Sequence, residues 1–268
     1  MNELRHQDTS DLTALEYHFS KKEVGHPADY TDALAGLQQQ FLQFVNNCDE
    51  ALTNLGLFIT PQERRRELFL YEVYKLILDK PGSIAQFGVR WGRELALLES
   101  FRTIFEPFNH SRRIVGFDTF SGYEGLSKND GQSKQMADGN LSVSDGYQEF
   151  LENVLLTREA LSPVSQYKKF QLIAGDVRHS LDQYLKANKH EIFSLVHLDL
   201  NLYEPTKDVL QKIKPRLVSG SIIIVDEINC ATIPGETIAL MEEFDLGKLK
   251  LRRLPQISPT WPCYFEVC

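Results

Sequence analysis

Between residues 83 and 225 the chain alternates short, continuously apolar runs with longer segments of helical periodicity. The runs are Ser83-Ile-Ala-Gln-Phe-Gly88, Arg113-Ile-Val-Gly-Phe-Asp118, Lys169-Phe-Gln-Leu-Ile-Ala-Gly175, 192–199 and 221–225. Apolar side chains at consecutive positions suit strands covered on both faces, as in a parallel sheet. The intervening segments predict helices over 94–105, stopped by Pro107, and over 144–157 and 178–188; another runs from Pro205 through Ile213 to the break at Pro215. Pro234-Gly235 introduces a further helix through Phe244, and the tail holds two candidate antiparallel strands, 248–254 and 263–267. This alternation predicts an α/β fold with a doubly wound, mostly parallel sheet. Right-handed crossovers then bring every strand-end acid to one rim.

Ahead of the sheet lies an N-terminal helical extension. Residues 1–30 are polar and irregular, with Tyr17, Phe19 and Tyr30 as anchors for an arm. Leu34, Leu37, Phe41, Phe44, Val45, Ala51 and Leu52 predict one helix over 31–58. Thr60-Pro61-Gln62-Glu63 marks the next helix start, with a capping oxygen, a proline at the first helical position and an acid at the third. The division expected is 1–59 as arm and extension and 60–268 as the α/β domain.

Composition narrows the class. Of 268 residues, 42% are hydrophobic and 25% charged, with a formal net charge of −8. That balance argues against a nucleic-acid partner. The four cysteines form no close pair, which argues against a zinc site or disulfide framework and favours a reducing compartment. There is neither an apolar leader nor an 18-residue apolar run, so the expectation is a cytoplasmic protein with no membrane partner.

The chemistry gathers at the strand ends. Asp199 ends one run, and Asp226 and Glu227 end the next. Three converging carboxylates repel one another unless a cation or protons compensate, and an oxygen-rich set suits magnesium. His197 shares the strand parity of Asp199; it is either a base or a core histidine. Gly88-Val-Arg-Trp-Gly92 permits a tight turn and close cofactor approach, or is a plain strand–helix connection. Asp118 suits ribose hydroxyls or a turn cap, and Asp176 an adenine amine or the cap of the helix containing Arg178. His179 is placed to cover the adenine side, and Trp91 and Tyr203 to wall a pocket. The glycine-rich segment 119–141 is long for an idle connection and reads as a lid.

Four segments carry a family likeness: Gln86-Phe-Gly-Val-Arg-Trp-Gly-Arg93, Gly116-Phe-Asp-Thr-Phe-Ser-Gly122, Leu198-Asp-Leu-Asn-Leu-Tyr-Glu-Pro-Thr-Lys-Asp208 and Gly220-Ser-Ile-Ile-Ile-Val-Asp-Glu227. In these the chain resembles the macrocin O-methyltransferase family, whose members methylate sugar hydroxyls of macrolides and related natural products. The resemblance implies a class I methyltransferase fold and S-adenosylmethionine as cofactor. It implies that Gly88, Val89 and Gly92 border the cofactor, that Asp118, Thr119 and Phe120 approach its ribose, and that Asp176 and His179 lie beside the adenine. Asp199, Asp226 and Glu227 then correspond to magnesium ligands, with Asp199 or His197 as base. The resemblance further implies a glycosylated natural product as acceptor and a homo-oligomer. The chain departs from the pattern at Asn201, where relatives usually carry an acid, and at Glu227, where they often carry aspartate. Three other readings remain: a metal-independent small-molecule methyltransferase, a non-catalytic nucleoside-binding protein on the same fold, and a dinucleotide oxidoreductase. The last lacks its glycine fingerprint.

Overall fold

The computed structural model describes residues 27–255, 257 and 262–268, with side chains from residue 32 onward. The arm expected over residues 1–26, with Tyr17 and Phe19, lies outside the described residues. The chain divides into two compact units, Met1–Arg66 and Glu67–Cys268.

In the first unit, helix α1 spans Pro27–Asn47 and a 3-10 segment spans Ala51–Leu57. The single helix expected over 31–58 is therefore interrupted. The Glu50 carbonyl accepts from the Thr53 amide, the Thr53 hydroxyl and the Asn54 side chain, a local set of bonds that competes with the helical ladder. Phe58 folds back onto Phe41 and Phe44, with ring centroids 5.3 Å apart in both pairs. Helix α2, Pro61–Lys75, begins where the sequence places it: the Thr60 hydroxyl accepts from the Glu63 amide at 3.3 Å.

The second unit is built on a six-stranded sheet. Its elements are β1 (Ser83–Phe87), α3 (Arg93–Phe105), β2 (Ile114–Asp118), α4 (Tyr147–Ala160), β3 (Phe170–Ala174), α5 (Val177–Ala187), β4 (Phe193–Leu198), α6 (Tyr203–Ile213), β5 (Leu217–Val225), α7 (Gly235–Glu243) and β6 (Cys263–Glu266). The strand order is β3-β2-β1-β4-β5-β6, with β6 antiparallel to β5 and every other pairing parallel. Successive strands first run outward from β1 on one side, then return to add β4 on the other. The order thus reverses between β1 and β4, and open α/β sheets bind ligands at such a switch point, beyond the carboxyl ends of the strands.

Strand alternation splits the apolar residues into two cores. On one face Ala85, Phe87, Val196, Leu198, Ile223 and Val225 pack with side chains from α5, α6 and α7. On the other, Ile84, Leu195, Ile222 and Ile224 pack with side chains from α3, α4 and the part of α2 that lies in the second unit, Phe69, Leu70, Val73 and Tyr74. Both faces are covered over the central strands β1 and β4, which is why these read as nearly unbroken apolar runs, whereas the edge strand β3 is exposed at Gln171 and Ala174. Of the two tail strands expected, 263–267 corresponds to β6. The segment 248–254 forms only an isolated bridge between Arg252 and Tyr264. No described helix is long and apolar enough to cross a membrane.

Candidate active site at the carboxyl rim

The strand ends are held together by the sheet itself. The Gly88 amide donates to Phe117 O at 2.9 Å, the Asp199 amide to Phe87 O at 2.8 Å and the Asp226 amide to Leu198 O at 3.0 Å. Gly88, Asp118, Asp199 and Asp226 therefore share one rim. Gly88 has a φ of +91°, and a Cβ there would lie 1.9 Å from Asp199 O. Glycine is needed at this position because β1 and β4 close against each other, in addition to any cofactor approach.

Asp118 organises the turn that follows. One carboxylate oxygen accepts from the amides of Val89 and Arg90 at 2.6 and 2.7 Å, and the other from Phe120 at 2.6 Å. A carboxylate offers about four lone-pair sites, so three N–H bonds leave acceptor capacity for a ribose hydroxyl. Val89 is itself a core residue, packed beside Gly116, while Gly92 is left-handed and backed by Leu151. The Thr119 hydroxyl donates to Gly122 O at 2.7 Å. Phe120 has a φ of +58° and packs against the core of the α3 face. Trp91 is half-exposed, its ring edge-on to Tyr147, whereas Tyr203 is buried with its hydroxyl donating to Glu242 at 2.6 Å.

Asp176 caps α5, accepting from the Arg178 amide at 2.9 Å and pairing with its guanidinium. Burial alone would raise its pKa, but the Arg178 hydrogen bonds outweigh that and hold it below the ordinary carboxylate range. His179 is exposed on the same first turn.

His197, Asp199 and Asp226 offer one ligand atom each within 4.8 Å of one another. His197 Nε2 lies 3.6 Å from Asp226 Oδ1, and neither ring nitrogen has a hydrogen-bond partner although the residue is 3% exposed. A buried imidazole without a hydrogen bond beside two carboxylates is a donor set that fits a divalent cation. Glu227, grouped by sequence with Asp199 and Asp226, is not in this set. Its amide instead donates to Glu236.

Glu236, Asp130 and Gln86 were not legible as site residues. Glu236, wholly buried in the first turn of α7, accepts from the amides of Leu200, Asn201 and Glu227. Burial, with Asp226 close by, raises its pKa against the lowering effect of these N–H groups. Asp130, 1% exposed, accepts from the amides of Tyr203 and Ser127, and so pins the long loop to the start of α6. An acid early in a helix or in a polar loop has an ordinary solvated explanation, which hides both from sequence reading. Gln86 lies beside His197 in register, fully buried, with an unpartnered Oε1. The segment 119–146 has no regular structure, but its ends are clipped by paired backbone bonds between Tyr123 and Asn140 and between Gly139 and Tyr123.

The family model described as macrocin-O-methyltransferase (TylF) matches residues 64–244. The chain belongs to the macrocin O-methyltransferase family. Among solved structures, this O-methyltransferase is similar to that of CalS11, a calicheamicin methyltransferase, with 35% identity, a TM-score of 0.83, and 91% of this chain and 94% of that chain covered. The apo structure of CalS11, titled a TDP-rhamnose 3'-O-methyltransferase of calicheamicin biosynthesis, aligns at 33% identity and a TM-score of 0.76, covering 91% and 96%. The O-methyltransferase NovP shares the fold at 18% identity and a TM-score of 0.57, covering 76% and 79%. No curated protein sequence matches the chain. The enzyme is an S-adenosylmethionine-dependent O-methyltransferase. Its donor set of one imidazole and two carboxylates is able to bind a metal.

Proposed function

We propose that this methyltransferase acts on a hydroxyl of a deoxysugar still linked to a nucleoside diphosphate, with Asp199 and Asp226 holding magnesium. The carrying observation is the convergence of the Gly88 turn, Asp118, His197, Asp199 and Asp226 on the β1/β4 switch point. The acceptor class draws support from the likeness, over 91% of the chain, to a protein titled a TDP-rhamnose 3'-O-methyltransferase.

S-adenosylmethionine, when bound, supplies a methyl carbon made electrophilic by its sulfonium. The turn from Gly88 to Gly92 lets backbone approach this cofactor, and Asp118 accepts from its ribose. Thr119, Phe120, Asp176 and His179 flank the nucleoside. Magnesium, when bound, favours the ionised form of the acceptor hydroxyl, and the two aspartates hold it. In this reading the two aspartates alone hold the ion and His197 is not a ligand: its Nε2, 3.6 Å from Asp226, takes the hydroxyl proton, with Asp199 as the alternative base. Glu227 would add a third acid to the rim that holds the ion. The loop 119–141 closes over the acceptor and excludes water. The enzyme works as a cytoplasmic homo-oligomer without nucleic acid.

The test is mass spectrometry of TDP-deoxyhexoses incubated with enzyme and S-adenosylmethionine, with magnesium or with EDTA. A singly methylated sugar nucleotide that disappears with EDTA is expected. Asp226→Asn should lower kcat by about 10²–10⁴-fold, the range of a lost acid–base or ion-holding group, while leaving cofactor affinity intact. Methylation confined to finished glycosides overturns the acceptor assignment, and full turnover in EDTA overturns the role of the ion.

A further inference from the structure

Glu236 joins the two loops that carry the rim aspartates. Its Oε1 accepts from the Leu200 and Asn201 amides at 2.7 and 2.9 Å, one and two residues past Asp199. Its Oε2 accepts from the Glu227 amide at 3.1 Å, one residue past Asp226. The next residue strengthens the second grip: the Thr237 hydroxyl donates to Glu227 O at 3.0 Å and accepts from the Asn229 amide at 2.9 Å. There is no slack beneath this clamp. A Cβ on Gly235 would stand 2.6 Å from Tyr203 N and 2.7 Å from Asn201 O, so the start of α7 rests directly on the backbone of the β4–α6 loop.

We propose that Glu236 is a positioning residue that sets the separation of Asp199 and Asp226, and thereby the affinity of the rim for a divalent cation. The proposal rests on the reading that these two aspartates hold such an ion. Its geometric basis is that a carboxylate has acceptor oxygens at both ends and can bind N–H groups from two loops at once. Glutamine has the same shape but only one oxygen. Its amide donors must face either the Leu200 and Asn201 amides or the Glu227 amide, so one loop is released and the aspartate on it loses its fixed place. Asn201 bears on this directly, because its left-handed backbone, φ +63°, is held on Glu236 by its own amide.

Titration calorimetry with magnesium alone on the full chain, without cofactor, tests the idea. Glu236→Gln is expected to raise the magnesium Kd about 10- to 100-fold, the usual effect of removing a group that orients metal ligands. Its S-adenosylmethionine Kd should stay at the wild-type value, and its kcat should fall without a matching rise in KM for the cofactor. A lower unfolding temperature with an unchanged magnesium Kd would show that Glu236 only stabilises the fold, and would overturn the proposal. Absence of magnesium binding by the wild-type enzyme is a different outcome; it removes the divalent-ion reading and this proposal with it. If Glu236→Gln does not fold, amide exchange in the wild-type enzyme decides. Magnesium must slow exchange at Leu200, Asn201 and Glu227 together, and unchanged exchange at these amides refutes the clamp.

Discussion

Replacing Gly88 with alanine adds one methyl group at the point where β1 and β4 close against each other. The new Cβ would lie 1.9 Å from Asp199 O and 2.6 Å from Asp199 C, both backbone atoms that no rotamer change can clear. Relief requires the chain at Asp199 to retreat by more than 1 Å, on the order of the gap between this distance and an ordinary van der Waals contact of about 3.5 Å. Two costs follow. Holding a non-glycine residue at φ +91° costs about 1–3 kcal/mol, and overpacking at a closed strand junction adds about 1–3 kcal/mol. Urea unfolding should therefore show a loss of about 2–6 kcal/mol from these terms combined. The functional cost is separate, because Asp199 belongs to the candidate ion set, and a displacement of about 1 Å at a reacting centre lowers rate on the order of 100-fold. The assay is single-turnover methyl transfer at saturating cofactor, run below the unfolding transition of the variant. Wild-type turnover and stability together would refute the claim that Gly88 is required by strand closure. A loss of cofactor affinity with no loss of stability would show that the glycine serves the cofactor alone.

Two further outcomes test the frame around the site. Asp130→Ala leaves the Tyr203 amide at the start of α6 without its acceptor, at a cost of about 1–3 kcal/mol; proteolysis within 119–141 and exchange of the Tyr203 amide should both accelerate, and unchanged rates would show that the loop is held elsewhere. Glu106→Gln breaks a buried pair with Arg112, which is 2% exposed, and should destabilise by about 3–5 kcal/mol. Burial alone would raise the Glu106 pKa, but hydrogen bonds from Arg112 and Tyr74 outweigh it and lower the net value. The contribution is then complete above the ordinary glutamate pKa of about 4.3 and is lost as pH falls through the lower folded value. Equal acid sensitivity of wild type and variant in that window would contradict it.

Local pattern determined much of this enzyme. Unbroken apolar runs specified the central strands because both faces of a parallel sheet are covered, and parallel pairing placed the acids following them on one rim; Asp199, Asp226 and Glu227 were the group the sequence offered, with Asp118 at a neighbouring strand end. The Thr60 cap was equally plain, since its partner is three residues away. Tertiary structure decided what depends on distant partners. The strand order put Gly88 against Asp199. Strand register aligned His197 with Gln86 and Ile224, and the fold brought its ring, rather than Glu227, to the two aspartates. The carboxylates that hold the rim, Asp130 and Glu236, bind amides 73 and about 35 residues away, and nothing in their own neighbourhoods distinguishes them from surface acids. A buried carboxylate is tolerated only where enough N–H groups converge on it, and in this fold that convergence comes from loops that meet only when the sheet assembles.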